Sequence, residues 1–293
     1  MTPVGANPCR GRRKFGELPR HQQRMCRTYG APDFSCNDSQ AFWLGLTFAA
    51  LTALAPRGAA ATRRRIMTKP ISAVRVVFFD FGFTLWDEER AWNAWARWLG
   101  VPTYEFFAVL GSVIERGEHH HRAFEIVRPG FDLERERERR REAGESDGFR
   151  PEELYPDVIP CLRELRSAGY RAGVAGNYFA DFAETLRAIN LPIDFIGSSE
   201  EWEVQKPSPE FFARMVEISG VAPQEIAYVG DRVDNDVLPA KAAGMVSVFL
   251  RRGPWGLIHA RRAEAEQADI RIDTLADLRG ALEKRVATGS MRD

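Results

Sequence analysis

The sequence has few cysteines, no net charge and no long hydrophobic run, and each shortage argues against a class of protein. Four cysteines in 293 residues are too few for a disulfide-rich scaffold. Basic and acidic residues balance at 41 each, so no overall charge favours a nucleic-acid or membrane partner. The clearest apolar run, residues 41–55, has fifteen residues, fewer than the roughly 20 that a transmembrane helix needs. A 44% hydrophobic composition nevertheless supports a sizeable folded core.

The balanced charge hides two unlike parts of the chain. Residues 1–67 contain eleven basic and three acidic residues, whereas 68–293 contain 30 basic and 38 acidic residues. Only Cys161 lies in the second part, where it is typical of a core thiol in a reducing compartment. We predict that 1–67 is a leader, disordered or absent from the native protein, and that a cytoplasmic protein starts at Met67. An export signal is the alternative, but forty mostly polar residues precede the apolar run.

Hydrophobic patterns after the leader predict an α/β protein. A β-branched and aromatic run over 73–79 indicates a buried parallel strand, and 88–150 show helical periodicity with no strand signal. From 155 onward, strands alternate with helices of about ten residues, which specifies a doubly wound parallel sheet. We expect a core domain formed by 68–87 and 151–293, with a small all-helical cap at 88–150. The predicted later strands cover 171–175, 194–196, 226–229 and 246–250.

Charged side chains follow two of the predicted strands. Asp80 ends the first strand, and Asp231, Asp234 and Asp236 follow a later strand that ends in glycine. Ligands of such sheets bind beyond the carboxyl ends of the strands, where these carboxylates converge if the strands are neighbours. Carboxylates with water and a substrate phosphate suit Mg²⁺. Lys206, on a proline-containing loop, could hold an aspartate nucleophile ionised and balance phosphoryl charge.

Four segments in this order resemble the motifs of the haloacid dehalogenase superfamily of hydrolases. They are FFDFGFTLWD, VAGN, QKPSPEFF and VGDRVDNDVLPAKAAGM, and the resemblance covers roughly 73–252. It implies a magnesium-assisted mechanism through an aspartyl-phosphate, with a mobile cap placed directly after the first motif. By position, Asp80 resembles the nucleophile, Lys206 the charge-balancing residue and Asp231 a metal ligand, and Asp236 resembles a ligand that acts on the metal through water or from behind the direct ligands. Asp80 itself and the backbone carbonyl of Gly82 complete the implied metal site.

Two positions depart from the phosphatase pattern. Family phosphatases have an aspartate two residues after the nucleophile that protonates the leaving oxygen and activates water, whereas Gly82 stands here. We therefore expect no carboxylate in that place and slow hydrolysis of the phosphoenzyme. The second motif usually offers a Ser or Thr hydroxyl to the phosphate, whereas Gly176 stands here. The Gly176 N–H and the amide of Asn177 are the predicted substitutes for that hydroxyl.

Three functions remain open from the sequence. The first is a magnesium-dependent phosphohydrolase acting on a small phosphorylated metabolite. The second is a binding or regulatory protein that keeps the fold and has lost turnover. The third is a 2-haloacid dehalogenase-like hydrolase, whose leaving halide needs no proton but whose chemistry needs no metal cluster either.

Two further segments carry expectations about charged side chains. Residues 119–121 are three successive histidines, which on a helix would point in different directions and could not chelate one ion. The run ERERERRRE over 134–142 predicts a solvated helix in which Glu136 and Arg140 pair at i, i+4.

Overall fold

The computed structural model describes residues 73–145, 148–178 and 180–290. The predicted leader, with its apolar run, lies outside these residues. Within the described part of the chain, no helix is both long enough and apolar enough to cross a membrane.

The described residues form one six-stranded sheet in which each neighbouring pair is parallel. The strand order is β3-β2-β1-β4-β5-β6, so the order reverses beside β1 and the predicted doubly wound sheet is confirmed. The strands are β1 Val76–Phe79, β2 Arg171–Gly176, β3 Phe195–Ser198, β4 Ile226–Gly230, β5 Val246–Leu250 and β6 Ile270–Ile272.

Helices between and after the strands fall into two groups. Those between β1 and β2 are α1 Glu89–Leu99, α2 Thr103–Glu115, α3 Arg122–Val127, α4 Leu133–Glu142 and α5 Val158–Ser167. The others are α6 Ala180–Ala188, α7 Ser199–Trp202, α8 Pro209–Ser219, α9 Leu238–Ala242, α10 Gly253–His259 and α11 Leu278–Ser290. The predicted strands over 171–175, 226–229 and 246–250 agree with β2, β4 and β5 to within one residue. β6 escaped prediction because it has three residues with an exposed arginine at its centre.

The sheet is buried on both faces, as a run of apolar residues in a parallel strand predicts. Val77 and Phe79 of β1 contribute to one hydrophobic cluster, and Val76 and Phe78 contribute to the other. This alternation follows from the two-residue period of a strand. Cys161 packs into the first cluster, so the predicted core thiol is confirmed.

The segment between β1 and α5 is helical, and no strand occurs in its described residues, 88–145 and 148–150. Its own apolar cluster is built around aromatic side chains such as Trp95, Phe106 and Phe124. Phe83 and Trp255, from the loop after β1 and from α10, belong to the same cluster. The helical segment therefore packs on the carboxyl-end side of the sheet, where Asp80 lies.

Helix α4 differs from the expected solvated helix. Glu136 and Arg140 are both buried, and Arg140 is only 1% exposed. The Arg140 guanidinium lies 4.0 Å from the centre of the Trp95 ring and pairs with Glu145 at 3.4 Å. Glu136 instead accepts a hydrogen bond from the Trp98 indole at 2.7 Å. The charge pattern could not show this, because the aromatic partners come from another helix.

Replacing Arg140 by alanine is expected to lower the free energy of unfolding by about 2 kcal/mol, since the change removes a buried cation from an aromatic face and leaves a cavity. Arg141→Ala, at an exposed position of the same helix, is the matched control and should change stability by less than about 0.5 kcal/mol. Chemical denaturation of both variants measures the difference. Equal stabilities would contradict the structural role of the buried arginine.

Candidate active site

Three carboxylates meet at the carboxyl ends of neighbouring strands. Asp80 directly follows β1, and Asp231 directly follows β4, the strand that pairs with β1. Asp236 lies five residues further, on one turn of π-helix, Val233–Val237. One oxygen atom from each of the three side chains lies within 4.8 Å of the other two. The expected convergence is therefore present in the structure.

Lys206 connects two of these carboxylates. Its Nζ atom donates to Asp80 Oδ1 and to Asp236 Oδ1, at 2.6 Å each. Burial alone would lower the pKa of the ammonium group, but the charges of Asp236 and Asp80 outweigh burial and raise the pKa. Lys206 thus remains protonated in a nearly solvent-free position, where its charge acts on the Asp80 carboxylate with little screening.

Asn177 holds the lysine loop. Its side-chain Oδ1 accepts from the Lys206 backbone N–H at 2.8 Å, and its Nδ2 donates to the Lys206 carbonyl at 3.0 Å. The sequence did not indicate this contact, because the two residues are 29 positions apart. In the part of the chain that the structure describes, the Asn177 amide therefore positions the backbone of Lys206. The role of Asn177 in binding phosphate stays a prediction.

Two glycines make room for the acidic side chains. A Cβ atom on Gly176, the last residue of β2, would lie 2.9 Å from Asp80 Oδ1 and 2.9 Å from the Tyr178 ring. A Cβ atom on Gly230 would overlap the Asp236 carboxyl group. A Ser or Thr at 176 would therefore require the Asp80 carboxylate and the Tyr178 ring to shift.

Backbone contacts fix the turn that carries Asp236. Its Oδ2 atom accepts from the Arg232 N–H at 2.9 Å, and the Nδ1 atom of buried His259 accepts from the Val233 N–H at 3.1 Å. Burial lowers the pKa of His259 to about 4, so the ring is neutral at neutral pH and can act as this acceptor. Asp234, on the same turn, pairs with Arg232 at 2.8 Å and is not in the carboxylate cluster.

The cluster has the chemistry of a cation site. Asp231 Oδ2 is buried and has no hydrogen-bond partner among the described residues. Burial, together with the charges of Asp236 and Asp80, raises the pKa of Asp231 well above its usual range. Three carboxylates face one ammonium group, so a divalent cation would balance the charge and satisfy the orphaned oxygen. These residues therefore fit Mg²⁺.

The expectation that no carboxylate lies beside Gly82 is wrong. A Cβ atom added to Gly82 would overlap Oε1 of Glu88, so a glutamate carboxylate lies where a side chain at 82 would lie. Burial raises the pKa of Glu88 to about 7, a hydrogen bond from Trp92 opposes the increase, and Asp80 adds to it. Sequence reasoning missed Glu88, although the acidic run of residues 87–89 so soon after Asp80 was a visible signal.

The three histidines also differ from the expectation. They lie in the connection before α3 rather than on a common helix, and one ring nitrogen from each lies within 4.8 Å of the others. The three rings are therefore close enough to bind one ion, whereas the expectation that they could not assumed that they lie on a helix. Burial lowers the pKa of His120 well below its usual range, with smaller effects from His121 and His119.

Comparison with known proteins extends the similarity from the four motifs to most of the described chain. A family model described as a haloacid dehalogenase-like hydrolase matches residues 74–244. A glyceraldehyde 3-phosphate phosphatase of Methanopyrus kandleri is 33% identical over 224 residues, which cover 70% of this chain and 95% of that protein. The phosphoglycolate phosphatase of Escherichia coli K12 is 31% identical over 132 residues, 44% of this chain and 51% of that protein.

Solved structures agree on the fold. A hydrolase of Bacillus subtilis described as bound to magnesium is 18% identical, with a TM-score of 0.55 over 72% of this chain and 99% of that one. An L-2-haloacid dehalogenase of Xanthobacter autotrophicus is 20% identical, with a TM-score of 0.53 over 72% and 98%. At these identities, the similarity concerns the fold alone.

Proposed function

This chain belongs to the haloacid dehalogenase-like hydrolases, and we propose that within the family it is a magnesium-dependent phosphohydrolase. We infer that it acts on a small phosphorylated metabolite through an aspartyl-phosphate intermediate. The names of its relatives support phosphatase chemistry, since they are phosphatases of small phosphorylated metabolites.

One observation carries the proposal: Lys206 bridges Asp80 and Asp236 inside a cluster of three carboxylates. A lysine that pairs with the nucleophile orients its carboxylate and also offsets charge on the incoming phosphoryl group. A dehalogenase needs no metal ion, because halide departs without charge neutralisation by a cation, whereas three clustered carboxylates have the chemistry of a cation site. The acidic cluster therefore favours phosphate over halogenated acids.

The side chains have distinct tasks in this mechanism. One oxygen of the Asp80 carboxylate forms a bond to phosphorus while the bond from phosphorus to the leaving oxygen breaks. The Lys206 ammonium, held by Asp236 and by the Asn177 contacts to its backbone, stabilises the phosphoryl charge that develops. The Gly176 N–H, at the end of β2, is the proposed donor to a phosphoryl oxygen.

The metal would be held by Asp80, Asp231 and the backbone carbonyl of Gly82, with Asp236 acting through a water molecule because both of its oxygens already accept hydrogen bonds. Asp231 is the ligand with the strongest structural argument, because its buried oxygen has no other partner among the described residues. When bound, Mg²⁺ supplies charge neutralisation at the phosphoryl oxygens and helps to orient the phosphate against the nucleophile.

A substrate screen tests the function directly. The full chain is expected to release inorganic phosphate from at least one member of a panel of phosphate esters, anhydrides and acyl phosphates in the presence of Mg²⁺. Removal of the metal with a chelator should reduce the rate by at least about 10²-fold, because charge neutralisation by the ion contributes several kcal/mol. Phosphate release is measured with and without the chelator, and halide release from 2-haloacids is measured in parallel.

The other functions predict different results. Metal-independent halide release with no phosphate release would support the dehalogenase. No turnover of either kind, together with no effect of Asp80→Asn on any activity, would support a binding protein and overturn the proposal.

A further inference from the structure

None of the residues assigned so far is the general acid and base that the proposed chemistry needs. Hydrolysis of an alkyl phosphate needs a proton for the leaving oxygen, and hydrolysis of the phosphoenzyme needs a base that activates water. Asp80 is used as the nucleophile, and Asp231 and Asp236 hold the cation. Gly82 has no side chain to offer. The acid and base must therefore come from another part of the chain.

A carboxyl group is available beside the nucleophile. Glu88 reaches back along the loop after β1 until its Oε1 lies in the space that a Cβ on Gly82 would occupy. Gly82 is two residues after Asp80, so this carboxyl group lies beside the loop that carries the nucleophile. The carboxyl group belongs to Glu88, six residues after Gly82 in the chain.

The loop holds Glu88 in this orientation. The backbone N–H groups of Leu85 and Trp86 both donate to the Phe81 carbonyl, at 2.8 and 3.0 Å, which turns the chain back on itself. The Trp92 indole then donates to Glu88 Oε2 at 2.8 Å. One oxygen is thereby fixed by the indole, and the other faces Gly82.

Space for a leaving group lies next to this carboxyl group. Glu88, with Trp86, Trp92 and His120, lines a cavity of about 170 Å³. At roughly 30 Å³ for each water molecule, this is room for five or six waters or for a leaving group of a few carbon atoms. A leaving oxygen entering this cavity from the phosphate would meet the Glu88 carboxyl group.

We propose that Glu88 is the general acid and general base of this active site. In the first step, the Glu88 carboxyl proton passes to the leaving oxygen as the phosphorus–oxygen bond breaks and Asp80 becomes phosphorylated. In the second step, the Glu88 carboxylate takes a proton from the water that attacks phosphorus, and the bond between phosphorus and Asp80 breaks. The products are an alcohol and inorganic phosphate, and both carboxyl groups return to their starting states.

This inference rests on the proposed function, and Glu88→Gln tests it with little change of shape. The glutamine can still accept the Trp92 hydrogen bond, but it can neither donate a carboxyl proton nor act as a base. The rate on an alkyl phosphate is expected to fall by about 10² to 10⁴-fold. With p-nitrophenyl phosphate, whose leaving group departs unprotonated, the first step should persist while the second slows. The variant should then release a burst of nitrophenol stoichiometric with the protein, which the native chain should not show.

The matched control is Glu89→Gln, at the exposed neighbouring position, which should retain native rates on both substrates. A merely structural role of Glu88 would reduce both substrates equally and would produce no burst. That outcome overturns the assignment. His120→Asn is measured in parallel. If that variant loses more activity on the alkyl phosphate than on p-nitrophenyl phosphate, and Glu88→Gln does not, the assignment to Glu88 is also overturned.

A relocation of the carboxyl group provides the second test. Gly82→Asp alone should bring little gain, because the Glu88 carboxylate already occupies the required space. In the Glu88→Ala background that space is free, and the Gly82 backbone is outside the left-handed region, so a side chain is sterically acceptable. Adding Gly82→Asp to the Glu88→Ala variant is expected to raise its rate on an alkyl phosphate at least about tenfold. No recovery, with the double variant folded, would count against Glu88.

Failure of this inference is distinguishable from failure of the function. If Asp80→Asn abolishes phosphate release while Glu88→Gln has native rates and no burst, the phosphohydrolase stands and Glu88 is not its acid and base. If the native chain has no phosphatase activity, both proposals fall together.

Discussion

Asp80→Asn is expected to reduce phosphate release by at least about 10⁴-fold, the largest loss that any single substitution in this site should cause. The amide matches the carboxylate in shape but cannot form the covalent bond to phosphorus. The substitution leaves Lys206 paired with Asp236 at 2.6 Å, so the fold should persist and the loss should be chemical. Mass spectrometry after rapid quenching with an activated phosphate donor should find a phosphoryl group on native Asp80 and none on the variant.

Asp273→Asn is the matched control for this experiment. Asp273 is exposed and pairs with Arg251 at 2.7 Å, outside the site, and its substitution should leave turnover unchanged. An Asp80→Asn variant that turns over at the native rate would show that another group is the nucleophile.

Asp231→Asn is expected to weaken Mg²⁺ binding by at least about 100-fold, because it removes a charged ligand whose second oxygen has no other partner among the described residues. Binding is measured by calorimetry and by the rise in thermal midpoint that a ligand of the native state causes. In the presence of a chelator, the variant should be at least as stable as the native chain. The reason is that the substitution relieves a buried carboxyl group whose pKa is raised by burial and by Asp236 and Asp80.

Asp234→Asn is the appropriate comparison, since Asp234 lies on the same turn but pairs with Arg232 instead of joining the cluster. It should bind Mg²⁺ with native affinity. Equal affinities for Asp231→Asn and the native chain would exclude Asp231 as a ligand and would require a different metal site.

The two charged side chains whose surroundings the sequence did not predict, Glu88 and Arg140, have a similar physical environment. Arg140 lies on a helix whose charge pattern predicts exposure, and Glu88 lies in an acidic run to which the sequence pattern assigns no role. Both side chains contact a tryptophan. An indole offers a ring face to a cation and an N–H group to a carboxylate, so it can receive either charge at low exposure. Periodicity identifies which faces are apolar but does not show which aromatic side chain from another turn or helix will cover a charge.

Local sequence patterns predict the parallel sheet and the helical insertion, and they predict that Asp80, Asp231 and Asp236 converge once β1 and β4 are neighbours, as they are here. These follow from local patterns, because apolar runs define the strands and a parallel sheet places their carboxyl ends at one edge. The side chains that fill the gaps at Gly82 and Gly176 are visible in the three-dimensional structure and not in the sequence pattern. The first is occupied by Glu88, through a loop that folds back on Phe81, and the second by the Asp80 carboxylate and the Tyr178 ring. Such contacts depend on the path of the chain through space, which residue spacing does not specify.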